Sequence, residues 1–189
     1  FRKNALNPEN PVLRGSAQNP DIFFQAREAC NKYYTALPAV VEEYMNKVNA
    51  KIGTNYKPFN YYGAADAERV IVLMGSACEC AEEVVEHLVS KGEKVGILKV
   101  HLYRPSVVDK FIEALPTTVK KIAVLDRTIE QGAIYEPLCL DVQSSFYGKA
   151  NAPVIVGGRY GLSSKDTTPA MINAVFNNLK LDQPKDHFT

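Results

Sequence analysis

The chain has 189 residues, 46% of them hydrophobic and 23% charged, with 22 Lys+Arg against 21 Asp+Glu. This charge balance excludes a nucleic-acid binder that relies on a general basic field, and the apolar fraction excludes an intrinsically disordered chain. No apolar run approaches the roughly 20 residues of a membrane span, and no secretion signal opens the sequence, so we expect a globular piece of a longer protein.

The first 20 residues contain three Asn-Pro pairs, which disfavour helix at the residue before each proline. We therefore expect an extended, turn-rich segment there. Helical spacing begins at Asp21, and a second helix is predicted to begin at Pro38 and to end at Gly53.

From Arg69 onward, apolar runs alternate with helical periodicity. The runs that predict strands covered on both faces are residues 70–74, 95–100, 122–126 and 153–156. A helix is predicted after each, so we expect an α/β fold: three α/β/α layers with a mostly parallel sheet over roughly residues 60–180, preceded by a helical N-terminal extension. Each strand should contribute one almost fully buried residue, namely Val72, Ile97, Val124 and Ile155.

The loops beyond the carboxyl ends of the strands hold the candidate contact residues, because ligands of open α/β sheets lie there. After the first strand, Gly75-Ser76 leads into a helix whose N-terminus could receive an anion. A capping box between Ser76 and Glu79 explains the same residues and is favoured. The dinucleotide fingerprint G-x-G-x-x-G is missing from this loop.

Two further loops at this edge leave alternatives open. Arg127 either braces its own loop, through a neighbouring carboxylate (Asp126, Glu130 or Glu136), or presents its planar guanidinium to a phosphate or carboxylate. The glycine-rich residues 157–161 indicate a tight turn or a close approach at a subunit or domain contact. The predicted anion or interface contacts are Ser76, Arg104, Arg127, Thr128, Arg159 and Tyr160.

The sequence contains no nucleophile–base pair and no pattern of metal ligands. The histidines are isolated, and the cysteines lack the spacing of an iron–sulfur or zinc site. We therefore predict no catalytic residue and no metal site in this chain, and four scattered, mostly buried thiols in a reducing compartment. The cysteines are Cys30, Cys78, Cys80 and Cys139.

Five segments resemble, in the same order, segments of the single-chain pyruvate:ferredoxin (flavodoxin) oxidoreductase family. They are residues 14–21 (RGSAQNPD), 63–70 (GAADAERV), 102–105 (LYRP), 124–128 (VLDRT) and 158–162 (GRYGL). The sequence departs from the family at Tyr135, where glycine is more usual, and at Cys139, where an aromatic residue is common.

This resemblance implies that residues 1–59 join the preceding thiamine-binding domain and that residues 60–189 form a domain similar to the C-terminal domain of transketolases. The family converts pyruvate and coenzyme A to acetyl-CoA and CO₂ with thiamine diphosphate, magnesium and [4Fe–4S] clusters, and passes the electrons to ferredoxin or flavodoxin. The resemblance thus implies a non-catalytic structural and interaction domain of an oxidoreductase, inactive by itself and without a cofactor of its own.

The implied partners are the other domains of the same polypeptide, a second copy of the parent, and ferredoxin or flavodoxin, with no nucleic acid and no membrane. The implied setting is anaerobic metabolism and electron transport in the cytoplasm or in a mitochondrion-related organelle. Two alternatives stay open: a module that binds coenzyme A or another phosphate, and the same domain of a pyruvate:NADP oxidoreductase.

Overall fold

The structure is a computed structural model that describes residues 2–12, 15 and 17–189, and it divides the chain into two units, residues 1–36 and 37–189. In the first unit, a 3-10 turn covers Arg2–Asn4 and helix α1 covers Pro20–Ala29. No α-helix precedes α1 within the described residues, which confirms the expected extended segment. Arg14 and Ser16 of the RGSAQNPD motif lie outside the described residues.

Helix α2 covers Asn31–Ile52 and ends at Gly53, which has a φ of 73°. The predicted start at Pro38 is wrong, because this proline lies inside the helix. The helix begins directly after Cys30, whose carbonyl accepts bonds from the N–H groups of Tyr33 and Tyr34. A proline removes a single N–H donor, and the flanking turns here keep the helix continuous across it.

Five strands form one sheet in the order β1-β3-β2-β4-β5. The strands are β1 Phe59–Gly63, β2 Arg69–Leu73, β3 Val95–Val100, β4 Lys121–Asp126 and β5 Val154–Arg159. Strands β2 to β5 are parallel, whereas β1 pairs antiparallel with β3. The predicted, mostly parallel sheet is confirmed, and β1 is an addition that the apolar runs did not indicate.

Helices cover both faces of the sheet. Helices α3 (Ala77–Ser90) and α6 (Pro169–Lys180) pack on one face, and α4 (Val108–Glu113) and α5 (Pro137–Ser145) pack on the other. This arrangement confirms the three-layer α/β/α fold. Among the described residues, no helix combines the length and apolar content needed to cross a bilayer.

The predicted core residues are correct in three strands of the four. Val72, Ile97 and Val124 are fully buried, but Ile155 is only partly buried. The reason is topological, because β5 is the edge strand of the sheet and has β4 as a neighbour on one side only. A local apolar run cannot distinguish a central strand from an edge strand.

Candidate functional site

The carboxyl edge of the sheet contains a topological switch point between β2 and β4. From β2 the chain moves outward to β3, then crosses back to β4 and continues to β5 on the opposite side. In open α/β sheets the crevice between two such strands is the usual place for a ligand. The loops that flank it here are residues 74–76, after β2, and residues 127–136, after β4.

The Tyr160 side chain occupies this edge. Its hydroxyl donates a hydrogen bond to the Met74 carbonyl over 3.2 Å, while its backbone N–H donates to the Asp126 carbonyl over 3.1 Å. Because β4 lies between β5 and β2, the tyrosine must cross the end of β4 to reach Met74. Burial raises the pKa of Tyr160. A side chain of the chain itself therefore spans the switch point.

Arg127 holds the loop that carries Tyr160. Its Nε donates to the Gly161 carbonyl over 2.9 Å, and Gly161 adopts a left-handed conformation with a φ of 61°. A Cβ at Gly161 would lie 3.0 Å from this Nε, so glycine allows the close approach. Arg127 thus braces its loop through a backbone carbonyl and not through a neighbouring carboxylate, and the alternative of a contact with another domain stays a prediction.

Asp126 caps helix α5. Its two carboxylate oxygens accept hydrogen bonds from the N–H groups of Leu138 and Cys139, at 3.0 and 3.1 Å. The carboxylate is buried, and burial raises its pKa although the two N–H donors oppose the shift. Its negative charge lies at the positive end of the helix, where carboxylates are stabilised. Asp126 is thus a structural cap in this edge.

Arg159 and Glu136 form an ion pair in which Nη1 lies 3.2 Å from Oε1. The other oxygen of Glu136 accepts a hydrogen bond from the N–H of Glu130 over 2.8 Å. Glu136 is buried and Arg159 is half-buried, so the pair fastens the loop after β4 to the end of β5.

The glycines of β5 receive neighbouring aromatic side chains. A Cβ at Gly158 would lie 2.2 Å from the Phe188 ring, and one at Gly157 would lie 3.1 Å from Tyr135. Neither a tight turn nor a subunit contact is needed to explain these two glycines, since both neighbours belong to this chain. The Tyr135 ring also stacks on His187, with centroids 4.5 Å apart. The sequence analysis identified Tyr135 only as a departure from the family. The available signal was the Gly157-Gly158 pair in β5, which leaves space for aromatic side chains.

The remaining predicted contact residues do not join this cluster. Arg104 follows β3 and binds Oδ2 of Asp141 through Nη2 and Nε, at 2.8 and 3.1 Å. Its guanidinium lies 4.8 Å from the Tyr103 ring centroid, and burial followed by the nearby Asp141 raises the pKa of Tyr103 to about 12. Thr128 is half-buried in the loop after β4.

Ser76 does not form the predicted capping box. Its backbone is already helical, at φ −63° and ψ −22°, and its side chain makes no capping hydrogen bond. A serine caps from an extended backbone, which lets its oxygen reach the N–H groups of the first turn. Here Gly75 makes the turn in a left-handed conformation, at φ 78°, one residue earlier than the capping box requires.

In the described part of the chain, no three His, Cys, Asp or Glu side chains lie close enough to hold a metal ion. All four cysteines are free thiols, and burial raises the pKa of Cys78 to about 11 and that of Cys139 to about 12. These two thiols pack on opposite faces of the sheet.

Comparison with known proteins places this fold in a family. The pyruvate:ferredoxin oxidoreductase core domain II matches residues 67–172. The whole chain is 58% identical to a pyruvate-flavodoxin oxidoreductase of Klebsiella pneumoniae and 54% identical to a pyruvate:ferredoxin oxidoreductase of Moorella thermoacetica, and it spans 16% of the length of each. A solved 2-oxoglutarate:ferredoxin oxidoreductase of Magnetococcus marinus matches 74% of this chain and 22% of that one, at 22% identity and a TM-score of 0.46.

The family match covers more than half of the chain and includes β2, β3, β4 and β5, together with the switch-point loops. The chain therefore belongs to the pyruvate:ferredoxin oxidoreductase core domain II family.

Proposed function

We propose that this chain is a structural and interaction domain of a pyruvate:ferredoxin (flavodoxin) oxidoreductase and performs no chemistry by itself. The parent enzyme converts pyruvate and coenzyme A to acetyl-CoA and CO₂ and reduces ferredoxin or flavodoxin. Support comes from the family match and from relatives that carry these acceptors in their names, of whose length the chain spans 16%. Those names also favour these acceptors over NADP.

The observation that carries this proposal is the contact between Tyr160 and Met74. An enzyme or binding module of this topology would use the crevice at the switch point, whereas here a half-buried tyrosine bonds across it. The charged groups nearby bind one another or the backbone: Asp126 caps α5 and Arg159 pairs with Glu136. This arrangement stabilises the loops, which supports a structural role over the alternative of coenzyme A binding.

The cofactors of the parent do not fit this chain's residues. A [4Fe–4S] cluster needs four converging thiolates, yet Cys78 and Cys139 lie on opposite faces of the sheet. Magnesium with thiamine diphosphate needs clustered oxygen ligands, and the buried carboxylate of Asp126 at the switch-point edge is engaged as the cap of α5. We propose that other domains of the parent hold these groups.

The proposal also covers organisation and location. Residues 1–59 join the preceding thiamine-binding domain and residues 60–189 form the domain proper; the family match, residues 67–172, falls within the latter. The parent is a homodimer in the cytoplasm or in a mitochondrion-related organelle. Free thiols are typical of such reducing compartments.

The exposed loops at the carboxyl edge are the proposed contacts with other domains, and Arg127 is the leading one. Within the described residues, the Arg127 side chain donates one hydrogen bond, from Nε to the Gly161 carbonyl. Arg127 is exposed, so its two terminal nitrogens can bind a carboxylate or phosphate of another domain. Arg127→Lys keeps the charge and loses the planar fork. We expect it to weaken assembly of the parent more than it lowers the melting temperature of this chain. The reverse order would leave the brace as the sole role.

Two measurements on the purified chain test the function. Incubation with pyruvate, coenzyme A and an oxidised viologen should give no reduced dye, while the full-length parent reduces it. Calorimetric titration with coenzyme A should give no saturable heat. Turnover by the chain alone, or one-to-one binding of coenzyme A, would contradict the proposal. Tyr160→Ala is the matched variant for the titration, because it removes the contact with Met74 without changing a charge. Saturable binding of coenzyme A by this variant alone would show that Tyr160 blocks the crevice.

A further inference from the structure

The second unit carries an apolar stripe on helix α2 that is exposed, apart from the Lys47 ammonium, which lies 4.5 Å from the centroid of the Tyr44 ring. The stripe consists of Leu37, Val40, Tyr44, Val48 and Ile52, whose exposed fractions range from 38% to 64%. Their spacing of three and four residues places them along one side of the helix. The described residues include no buried side chain in α2, although the helix has 22 residues. A helix of this length normally buries one face.

A different side of α2 is fixed to the domain. Glu42 forms an ion pair with Lys110 of helix α4. Asn49 binds the loop that follows the helix: its Nδ2 donates to the Tyr56 carbonyl over 2.8 Å, and its Oδ1 accepts from the Tyr56 N–H over 2.7 Å. Residues 42 and 49 lie about 140–160° around the helix from Tyr44 at 100° per residue. The attachment and the stripe therefore use different faces.

Beside the stripe lies an apolar groove of about 430 Å³. Its walls are Val40, Val41, Tyr44, Met45 and Val48 on one side and Tyr56 with His101 on the other. The Tyr56 and His101 rings meet edge to face, with centroids 5.6 Å apart, and Nδ1 of His101 lies 2.9 Å from the Lys57 carbonyl. The groove thus has rigid walls and no charged lining, which suits an aliphatic or aromatic side chain.

We infer that this stripe and groove form a docking surface for the domain that precedes this one in the parent polypeptide. The inference rests on the proposed function and adds its surface. Residues 37–56 precede the matched domain, which begins at residue 67, yet they align with the relatives over their whole length. Those relatives hold most of their length outside this chain, and consecutive parts of a chain are usually neighbours in space. Helix α2 is therefore shared by two domains.

The occupant must be apolar where it meets α2. No Lys, Arg, Asp or Glu occupies the stripe or lines the groove. An apolar surface rimmed by polar residues marks a protein interface. The alternative occupant, a second copy of the chain, is an outcome of the test below.

The test places two positive charges on the stripe of the full-length parent, as Tyr44→Lys with Val48→Lys. Ala50→Lys is the matched control, since it adds a lysine at an exposed position about 120° from Tyr44 and away from Glu42 and Asn49. We expect limited proteolysis to cut the double variant within residues 31–56 about tenfold faster than the wild type, and the control to behave as the wild type. In the 189-residue chain, both variants should melt as the wild type does, because the stripe there already faces solvent.

Three results would overturn the inference. Equal protease resistance of the double variant and the wild type in the parent would mean that nothing covers the stripe. If the double variant destabilised the isolated chain as much as the parent, the stripe would pack within this chain. A dimer of the isolated chain that the double variant disrupts, with the parent unaffected, would assign the surface to a second copy. None of these results alters the test of the proposed function, which measures turnover and coenzyme A binding.

Discussion

The Tyr135 hydroxyl donates a hydrogen bond to Oδ2 of Asp186 over 2.5 Å, and this bond fastens the C-terminal segment to the sheet. Oδ1 of Asp186 accepts from the N–H groups of Gly157 and His187, at 2.8 and 2.9 Å. The carboxylate therefore joins the loop after β4, strand β5 and the last residues of the chain. The backbone of Phe188 continues the contact by pairing with Gly157 and Arg159.

Removing the hydroxyl in Tyr135→Phe should destabilise the chain by about 1 kcal/mol, the usual net value of one hydrogen bond to a partly solvated carboxylate. At this chain length the melting temperature should fall by about 2–4 °C, measured by circular dichroism. Tyr147→Phe is the control, because Tyr147 is 91% exposed. Equal melting of both variants would show that the Tyr135 bond adds no stability.

Gly158→Ala should displace Phe188, since the new Cβ would lie 2.2 Å from the ring. The ring must shift to make room, so we expect a loss of about 1–3 kcal/mol, the usual cost of overpacking, and faster proteolysis of residues 184–189. In a double-mutant cycle with Phe188→Ala, the alanine at position 158 should cost less once the ring is absent. Additive effects would refute the contact.

Local sequence patterns predict much of this fold, but they do not predict features that depend on residues distant in the chain. The runs at 70–74 and 122–126 predict strands because burial on both faces requires continuous apolar residues, and Thr168-Pro169 marks the start of α6. Strand β1 depends on pairing with β3, which lies over 30 residues later, and periodicity contains no information about such partners.

The candidate site shows the same division. The position of Arg127 and Tyr160 at the carboxyl edge of the sheet is predictable, because the apolar runs show where the strands end. The direction of Tyr160 across β4 to Met74, and the partner of Arg127, are set by tertiary packing. Local motifs also compete: Gly75 made the turn that the capping box assigned to Ser76.

Asp126→Ala should be the most damaging of these polar changes, because it leaves the buried N–H groups of Leu138 and Cys139 without their acceptor. We expect a loss of about 2 kcal/mol or more in the free energy of unfolding. Asp126→Asn keeps one acceptor oxygen and should lose less. Urea denaturation measures both variants, and equal losses would mean that only the charge matters.

Acid should affect Asp186 and Asp126 in opposite directions. Partial burial alone would raise the pKa of Asp186, but hydrogen bonds from Tyr135, Gly157 and His187 outweigh it and lower the pKa below 3.8. The stability that Asp186 contributes is thus complete above the unfolded pKa of about 3.9 and is lost as the pH falls through the lower, folded value. Asp186→Asn should therefore differ from the wild type at pH 7 and approach it at about pH 2.

Burial raises the pKa of Asp126, so its contribution has the reverse sign. It is complete below the unfolded pKa of about 3.9 and is lost as the pH rises through the higher, folded value. Urea midpoints of the wild type, Asp186→Asn and Asp126→Asn between about pH 2 and pH 7 check both signs. Parallel pH curves for the two variants would contradict the assignment.

Because Cys78 and Cys139 lie on opposite faces of the sheet, their thiols are two separate probes of local opening in the domain. Each thiol is buried and has a raised pKa, so each reacts with an alkylating reagent only when its helix layer lifts from the sheet. The alkylation rate of Cys78 reports opening of the layer of α3 and α6, and that of Cys139 reports opening of the layer of α4 and α5. Matching labelling rates would mean that the domain opens as one cooperative body, and unequal rates would reveal which layer lifts first.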